Sequence, residues 1–468
     1  MSRINTNVGS MIARRALTSN NNTLNTSLER LSTGLKINSG KDNPAGLIAS
    51  ESLKSEQAGI TQAIDNAQRA DNVISTAEGG LGEVSNLLNQ LQGLVNQSAN
   101  SGGLSADETN ANQLQVDSIL STINRIAGTT SFNGKKLLNG TLDYTTSGAG
   151  SAISDLHVNA ARLGSNSAVT VDISVTAAAS AATIEYTGST LSAPTTLEIG
   201  GNAGVEQFTF GSGASVSSIA AAINAQSDVT GITASTVAGG GTGFGLYSKE
   251  TGSSQFVSVR VVSGTFATDK TRDEGVDSTV TINGAEATTD GKNVSYRSSG
   301  LDVDFTLDDA TNVAAGTASF SITGGGATFS LGSKVTYADQ ASIGIGSVTT
   351  GSLGSKELGY LNSLGSGFDN NLSSDNLVSA QKIVDTATSQ VATLRGRLGA
   401  FQKYTIGATI SNLGVALENV SASQSAITDT DFAEETANLT RSQILSQAAQ
   451  TVLSTANSAP QSALRLLQ

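Results

Sequence analysis

The 468 residues include no cysteine, no tryptophan, one histidine (His157) and three prolines (Pro44, Pro194, Pro460). These absences exclude disulfide scaffolds, thiolate zinc sites and the HExxH zinc site, because the ligands do not exist. A formal charge of −13 argues against nucleic-acid binding, which needs clustered Lys and Arg, and the length predicts more than one domain.

Residues 1–22 carry Arg3, Arg14 and Arg15 but no continuous apolar stretch, so no secretory signal of the usual form is expected. No run approaches the roughly 18 apolar residues of a membrane-spanning helix, so no membrane insertion is expected. Taken alone, this reads as a soluble cytoplasmic protein. Residues 1–140 hold 11 basic and 11 acidic residues, 356–468 hold 7 and 9, and 141–355 hold 8 and 19. Aromatics divide the same way, with 13 of 19 in the middle segment. Strands favour aromatic and β-branched residues, whereas long helical seams are aliphatic. The expected fold is therefore α+β and multidomain, with paired long helices from the two ends and a β-rich centre.

Leu17, Leu24 and Leu31 are seven apart, and Leu28 and Leu35 fill alternate positions, as in a coiled-coil seam. Gly40 and Asn43-Pro44 should interrupt this helix. A second helix should carry Ile60, Ile64, Ala67, Ile74 and Leu81 on one stripe, continued by Val84, Leu88, Leu91 and Val95, with Gly79, Gly80, Gly82 and Gly93 weakening it. After a Ser101-Gly102-Gly103 turn, Val116, Ile119, Ile123 and Ile126 mark a third. Asn133-Gly134 predicts a type I′ hairpin.

Towards the other end, Val384, Ala387, Val391, Leu394, Leu398 and Phe401 step by three and four. A five-residue step then leads to Ile406, Ile410, Leu413, Leu417 and Val420, which re-phases the stripe. Thr428 and Asp429 offer an N-cap for a last helix bearing Ile444, Leu445, Ala448, Val452 and Ala456, which Pro460 should break. The terminal seams are similar in length and apolar character, so each is the other's natural partner. Their Ser, Thr, Asn and Gln suit helices packed by other copies, although a self-contained four-helix bundle with a β insertion stays open.

The run Leu28-Glu29-Arg30-Leu31-Ser32-Thr33-Gly34-Leu35, with Lys41-Asp42-Asn43-Pro44-Ala45-Gly46, resembles the N-terminal signature of bacterial flagellins. Gln97-Ser98-Ala99-Asn100 and Ser131-Phe132-Asn133-Gly134 resemble it too. Ile427-Thr428-Asp429-Thr430-Asp431-Phe432-Ala433, Gln443-Ile444-Leu445-Ser446-Gln447-Ala448 and Ala456-Asn457-Ser458-Ala459-Pro460-Gln461 resemble the C-terminal signature. The resemblance implies a structural subunit of the extracellular flagellar filament, with a hook–filament junction protein as the alternative. It implies an inner helical core from residues 1–44 and 428–468, lined by Leu17, Leu24, Leu28, Leu31, Leu35, Ile444, Leu445, Ala448, Val452 and Ala456 as polymerisation seam. An outer core follows from 45–165, with a hairpin near 131–137, and from 341–427. Its seam is Ile60, Ile64, Leu88, Leu91, Val95, Val391, Leu394, Leu398 and Phe401.

Residues 166–340 are then solvent-facing outer domains. Short strands at 196–199 and 207–210, a helix at 216–224 capped by Ser215 and a strand at 232–235 give a ββαβ unit within 196–236, similar to the insertion motif of flagellins and hook-associated proteins. Further strands are expected at 256–262, 278–283, 301–307, 317–322 and 327–331. Implied partners are copies of the chain, the flagellar cap, hook-associated proteins and an export chaperone, with type III export in an unfolded state. Receptor-activating flagellins carry arginines and a glutamate where this chain has Gln90, Gln92 and Gly93, so weak innate-receptor activation is expected.

No enzyme, cofactor or metal site is signalled. His157 has no evident nucleophile beside it, and the glycine-rich run 239–245 lacks the G-x-G-x-x-G spacing. Asp302, Asp304, Asp308 and Asp309 lack the glycine and glutamate of a calcium loop and read as a solvated strand edge.

Overall fold

In the computed structural model, residues 6–100, 102–164, 166–188, 190–236, 243–374 and 376–466 are described. Helices α1 (Val8–Thr33), α2 (Pro44–Ser98) and α3 (Ala106–Thr129) come first, and α4 (Val216–Asn224) and α5 (Ser227–Thr230) lie in the centre. Then come α6 (Leu377–Ala400), α7 (Ala408–Thr428) and α8 (Phe432–Leu466). The chain forms two compact units: residues 1–68, 331–339 and 408–468, and residues 69–330 with 340–407.

In the first unit, α1 ends earlier than expected. Gly34 takes a left-handed conformation (φ +72°) as C-cap, so Leu35 lies outside the helix. Asn43 caps α2 by accepting from the Gly46 amide at 2.9 Å, and Pro44, which has no amide proton to satisfy, is its first residue. Gly46 leaves room for Ile37, whose Cδ1 would stand 2.5 Å from an added Cβ. Two further expectations fail. The cap of α8 is Asp431, whose Oδ1 accepts from the Ala433 and Glu434 amides, while Thr428 closes α7. Pro460 sits inside α8 without ending it.

In α2, Ile60, Ala63, Ala67, Ala70, Ile74, Ala77, Leu81, Val84, Leu88, Leu91 and Val95 are buried, an unbroken alternation of three and four. Ile64 is only half-buried, because Ala63 holds the seam position. The helix runs through Gly79, Gly80 and Gly82 without a break. In the second unit, α6 lies antiparallel to α2. Gln92 donates to Asp385 Oδ1 at 2.9 Å, Arg395 stands 3.7 Å from Glu78, and Gln402 donates to Ser75 at 3.0 Å. Ala380, Val384, Ala387, Val391, Leu394 and Leu398 of α6 are buried. The five-residue step coincides with a π-helical turn, Phe401–Gly407, which puts the buried Ile406 in phase. Phe401 itself is half-buried. A capping box of Ser105 and Glu108 starts α3, whose buried stripe includes Val116, Ile119, Leu120, Ile123 and Ala127. Asn133 and Gly134, at φ +49° and +80°, form the two-residue hairpin turn.

The centre holds two antiparallel β cores. A five-stranded sheet (Ala285–Glu286, Thr279–Ile282, Val169–Ala177, Thr317–Gly325, Tyr144–Ser147) shares one core with a four-stranded sheet (Thr288–Asp290, Asn293–Arg297, Leu301–Leu307, Ile153–Ala161). Val171, Ile173 and Phe320 from the first sheet meet Val158, Val303 and Phe305 from the second. The expected ββαβ elements appear as Thr195–Gly201, Val205–Phe210, α4 and Ile232–Thr236. The last strand pairs with Phe244–Ser248 in a separate three-stranded sheet, and one core joins both sheets and α4. Most of the glycine-rich run 239–245 lies outside the described residues.

Candidate assembly surface

The pairing of α1 with α8 follows from bonds spread along both helices. Asn7 donates to the Ala456 carbonyl at 2.7 Å, Ser10 to Asn457 at 2.7 Å and Ser446 to Asn21 at 2.7 Å. Arg30 stands 3.5 Å from Glu435. Rising numbers on one helix meet falling numbers on the other, so the pair is antiparallel. At its end the Lys36 amide donates to the Thr428 carbonyl (2.7 Å) and the Thr430 amide to the Gly34 carbonyl (2.9 Å), bridging Leu35 to Asp429.

The seam between the two helices differs from the expected one. On α1 the covered stripe is Ala13, Leu17, Asn20, Leu24, Ser27 and Leu31; on α8 it is Glu435, Ser442, Ser446, Ala449, Leu453 and Ala456. Leu17, Leu24, Leu31 and Ala456 are therefore on it. Leu28, Leu35, Ile444, Leu445, Ala448 and Val452 are exposed. The reason is one of phase: Ala13, Asn20 and Ser27, four before the heptad leucines, face the partner, and Leu28 and Leu35, four after them, do not. The alternation of Ala13, Asn20 and Ser27 with the leucines was readable, but small and polar residues give a weak hydrophobic signal. Glu435 and Arg30 were also missed.

A seam of this composition hides little apolar surface. Met11, Ile12, Ile444 and Val452 are each more than half exposed, as are Val8 and Phe432 and, outside the pair, Ile48 and Val415 of the same unit. Burying such a side chain fully contributes roughly 1.5–3 kcal/mol, and most of that is unrealised here.

The second unit places the remaining candidates. His157 lines a cavity of about 180 Å³ with Asp143, Asn159, Asp304 and Arg397. Asn159 donates to Asp302 at 3.0 Å and to Asp304 at 2.6 Å, and Arg397 Nη2 donates to the Gly344 carbonyl at 3.3 Å. Burial lowers the Arg397 pKa against the pull of Asp302, Asp304 and Asp143, and burial raises that of Asp143. Asp309 pairs with Lys292 and Asp308 with Lys356, so the four aspartates do not converge as ion ligands. No metal-holding cluster of carboxylates and histidine occurs among the described residues. Gln90 and Gly93 are exposed, whereas Gln92 is tied to Asp385. Among the described residues no helix is long and apolar enough to cross a membrane.

Residues 4–143 match the bacterial flagellin N-terminal helical region, 381–467 the C-terminal helical region and 196–246 the flagellin hook IN motif. Flagellin D of Vibrio anguillarum is 31% identical over 99% of both chains, and polar flagellin F of Vibrio parahaemolyticus is 32% identical over 99% of both. The chain belongs to the bacterial flagellin family. This flagellin is a structural subunit of the extracellular flagellar filament, and the family is structural, not enzymatic. Among solved structures, FliC from Burkholderia pseudomallei has 17% identity and a TM-score of 0.25, covering 71% of this chain and 99% of that one. Hook-associated protein-3 from Legionella pneumophila has 12% identity and a TM-score of 0.27, covering 81% and 96%. The full-length sequence relatives favour the flagellin reading over the hook-associated one.

Proposed function

We propose that subunits join through the apolar rows that α1 and α8 turn away from each other. Residues 1–44 and 428–468 then form the inner core of the filament, 45–165 and 341–427 the outer core, and 166–340 its outer domains. The observation carrying this reading is the division of labour on the two helices. In the seam within the chain, small and polar side chains alternate with Leu17, Leu24, Leu31 and Leu453, while Met11, Ile12, Leu28, Ile444, Leu445 and Val452 stay uncovered. A helix pair with so little apolar burial gains its order from neighbours, as coupled folding and binding requires. Such a segment also suits unfolded export by a type III route with an export chaperone, and the filament end would meet the cap and hook-associated proteins.

Seeded elongation followed by electron microscopy tests the reading. Ile444→Asp with Val452→Asp should abolish growth from wild-type seeds while the circular dichroism of the monomer stays unchanged. Normal filaments from that variant would overturn it. The same reading gives weak innate-receptor activation, because Gln90 and Gly93 offer no charge and Gln92 is engaged by Asp385. Strong signalling by monomer at low concentration would contradict that part.

A further inference from the structure

The sequence holds three Asn-Gly pairs, Asn133-Gly134, Asn139-Gly140 and Asn283-Gly284, and the fold treats each differently. In all three the glycine has a positive φ (+80°, +88° and +81°) and the asparagine is exposed. Glycine has no Cβ to shield its amide nitrogen, so that nitrogen can approach the side-chain carbonyl carbon of the residue before it. What separates the pairs is how firmly the asparagine side chain is held.

Asn283 is held most firmly. Its Oδ1 accepts from the Asp172 amide at 2.9 Å, and its own amide donates to the Asp172 carbonyl at 2.9 Å. Its turn joins Thr279–Ile282 to Ala285–Glu286 within the five-stranded sheet. Asn139 Oδ1 accepts from the Thr141 amide at 3.2 Å and the Thr141 hydroxyl at 2.8 Å. The Asn133 side chain makes no hydrogen bond among the described residues. Its hairpin has two residue pairs, Ser131 with Lys136 and Phe132 with Lys135, in a sheet of two strands. Opening it locally therefore breaks few bonds. Charge adds to the contrast. Lys135 and Lys136 follow Asn133, and neither pairs with a carboxylate among the described residues, whereas Asn283 has Asp172 as its partner and Glu286 on the paired strand. Positive neighbours favour an anionic amide nitrogen and negative ones oppose it.

We propose that Asn133 is a site of succinimide formation and deamidation, with water as the co-reactant. The Gly134 amide gives its proton to hydroxide, and its nitrogen bonds to Asn133 Cγ. The Cγ–Nδ2 bond breaks, and Nδ2 leaves as ammonia with a proton returned by water. A second water opens the five-membered ring, its hydroxyl adding to one of the two ring carbonyl carbons and its hydrogen to the ring nitrogen. Nothing is oxidised or reduced. Opening at Cγ gives aspartate, which suits a type I′ turn as asparagine does and places a negative charge beside two lysines. Opening at the backbone carbonyl gives isoaspartate, whose main chain is one carbon longer, so the two-residue turn no longer sets Phe132 opposite Lys135. The reaction belongs to the single chain and stands whether or not the chain polymerises.

The test is a time course of the full-length chain in mildly alkaline buffer, folded and in urea, read by peptide mass spectrometry with aspartate and isoaspartate separated. In the folded chain Asn133 should lose its amide at least about tenfold faster than Asn283, the factor that freeing one or two hydrogen bonds implies, with Asn139 between them. In urea the three rates should draw together to within about threefold, because no turn or partner then distinguishes them. Both aspartate and isoaspartate should appear at residue 133. Equal rates at Asn133 and Asn283 in the folded chain would overturn the proposal. So would the same ratio in both states, since the order would then belong to the neighbouring side chains and not to the fold. Aspartate without isoaspartate at residue 133 would mean direct hydrolysis and would rule out the succinimide.

Discussion

Gly80 of α2 lies against Leu138 with no room for a methyl group: an added Cβ would stand 2.8 Å from Leu138 Cδ1 and 2.8 Å from Thr130 Oγ1. Leu138 is fully buried and cannot withdraw into solvent. The glycine is therefore a site of close approach between the long helix and the segment flanking the hairpin. Gly79, Gly82 and Gly93 on the same helix meet nothing within 4 Å. Gly80→Ala should destabilise the second unit by about 1–2 kcal/mol, because overpacking outweighs the gain in helix propensity. Gly79→Ala and Gly93→Ala should each stabilise it by roughly 0.5–1 kcal/mol. Urea unfolding of the three variants checks the contrast, and a stabilising Gly80→Ala would refute the packing argument.

Ala315 holds a left-handed backbone at φ +63°, where an L side chain is strained, and its amide donates to the Val175 carbonyl at 2.9 Å. The bond keeps the residue in that conformation, and the side chain is exposed. Ala315→Gly should raise stability by about 0.5–1 kcal/mol, with the relief of strain exceeding the entropy cost of a freer unfolded chain. Calorimetry on the full chain should show the transition of the β core moving up; a downward shift would mean the strain is absent.

These two sites show where the sequence could and could not be read. The heptads of α2 were legible because aliphatic residues repeat for ten steps, and the five-residue step from Phe401 to Ile406 showed the re-phasing of the stripe, though not the π turn that produces it. Asn133-Gly134 specified its hairpin by backbone chemistry alone. The seam of α1 was assigned to the wrong alternate positions, since Leu28 is a stronger apolar signal than Ser27 even though Ser27 is the buried one. The strand Ile153–Ala161 was missed because His157 and Asn159 interrupt its apolar pattern, and a register shift in its pairing with Leu301–Leu307 breaks the period of two.

Gln113 is a buried side chain, and two of its three bonds join α3 to the segment before α6. Its Nε2 donates to the Leu364 carbonyl at 2.9 Å and to Asp117 at 3.1 Å, and its Oε1 accepts from the Leu372 amide at 2.7 Å. Gln113→Leu preserves the volume but strands one buried carbonyl and one buried amide. The cost should be about 2–6 kcal/mol, at roughly 1–3 for each unsatisfied group. Hydrogen exchange at the Leu372 amide should accelerate more than the global change in stability explains, because that bond is lost outright. Protection unchanged from wild type would show that water replaces the side chain.

Asp143 and Asp117 should respond to pH with opposite sign. Burial raises the Asp143 pKa above 3.8, despite the bond from the Tyr144 amide and the nearby His157 and Arg397. A carboxyl of this kind favours the fold when protonated, so its contribution is present below 3.8 and is lost as pH rises through the raised value. Asp143→Asn keeps a neutral acceptor for the Tyr144 amide and should raise the melting temperature by roughly 2–4 °C at pH 7. The gap from wild type should close as pH falls towards 4. Asp117 is pushed up by burial, but the hydroxyl and amide of Ser366 and the Gln113 amide more than reverse this and hold it below 3.8. Its contribution is present above 3.8 and fades as pH falls through the lowered value, so Asp117→Asn should lower the melting temperature at pH 7 and converge with wild type only in stronger acid. A fall in melting temperature for Asp143→Asn at pH 7 would mean that attraction to Arg397 outweighs the cost of burying the charge.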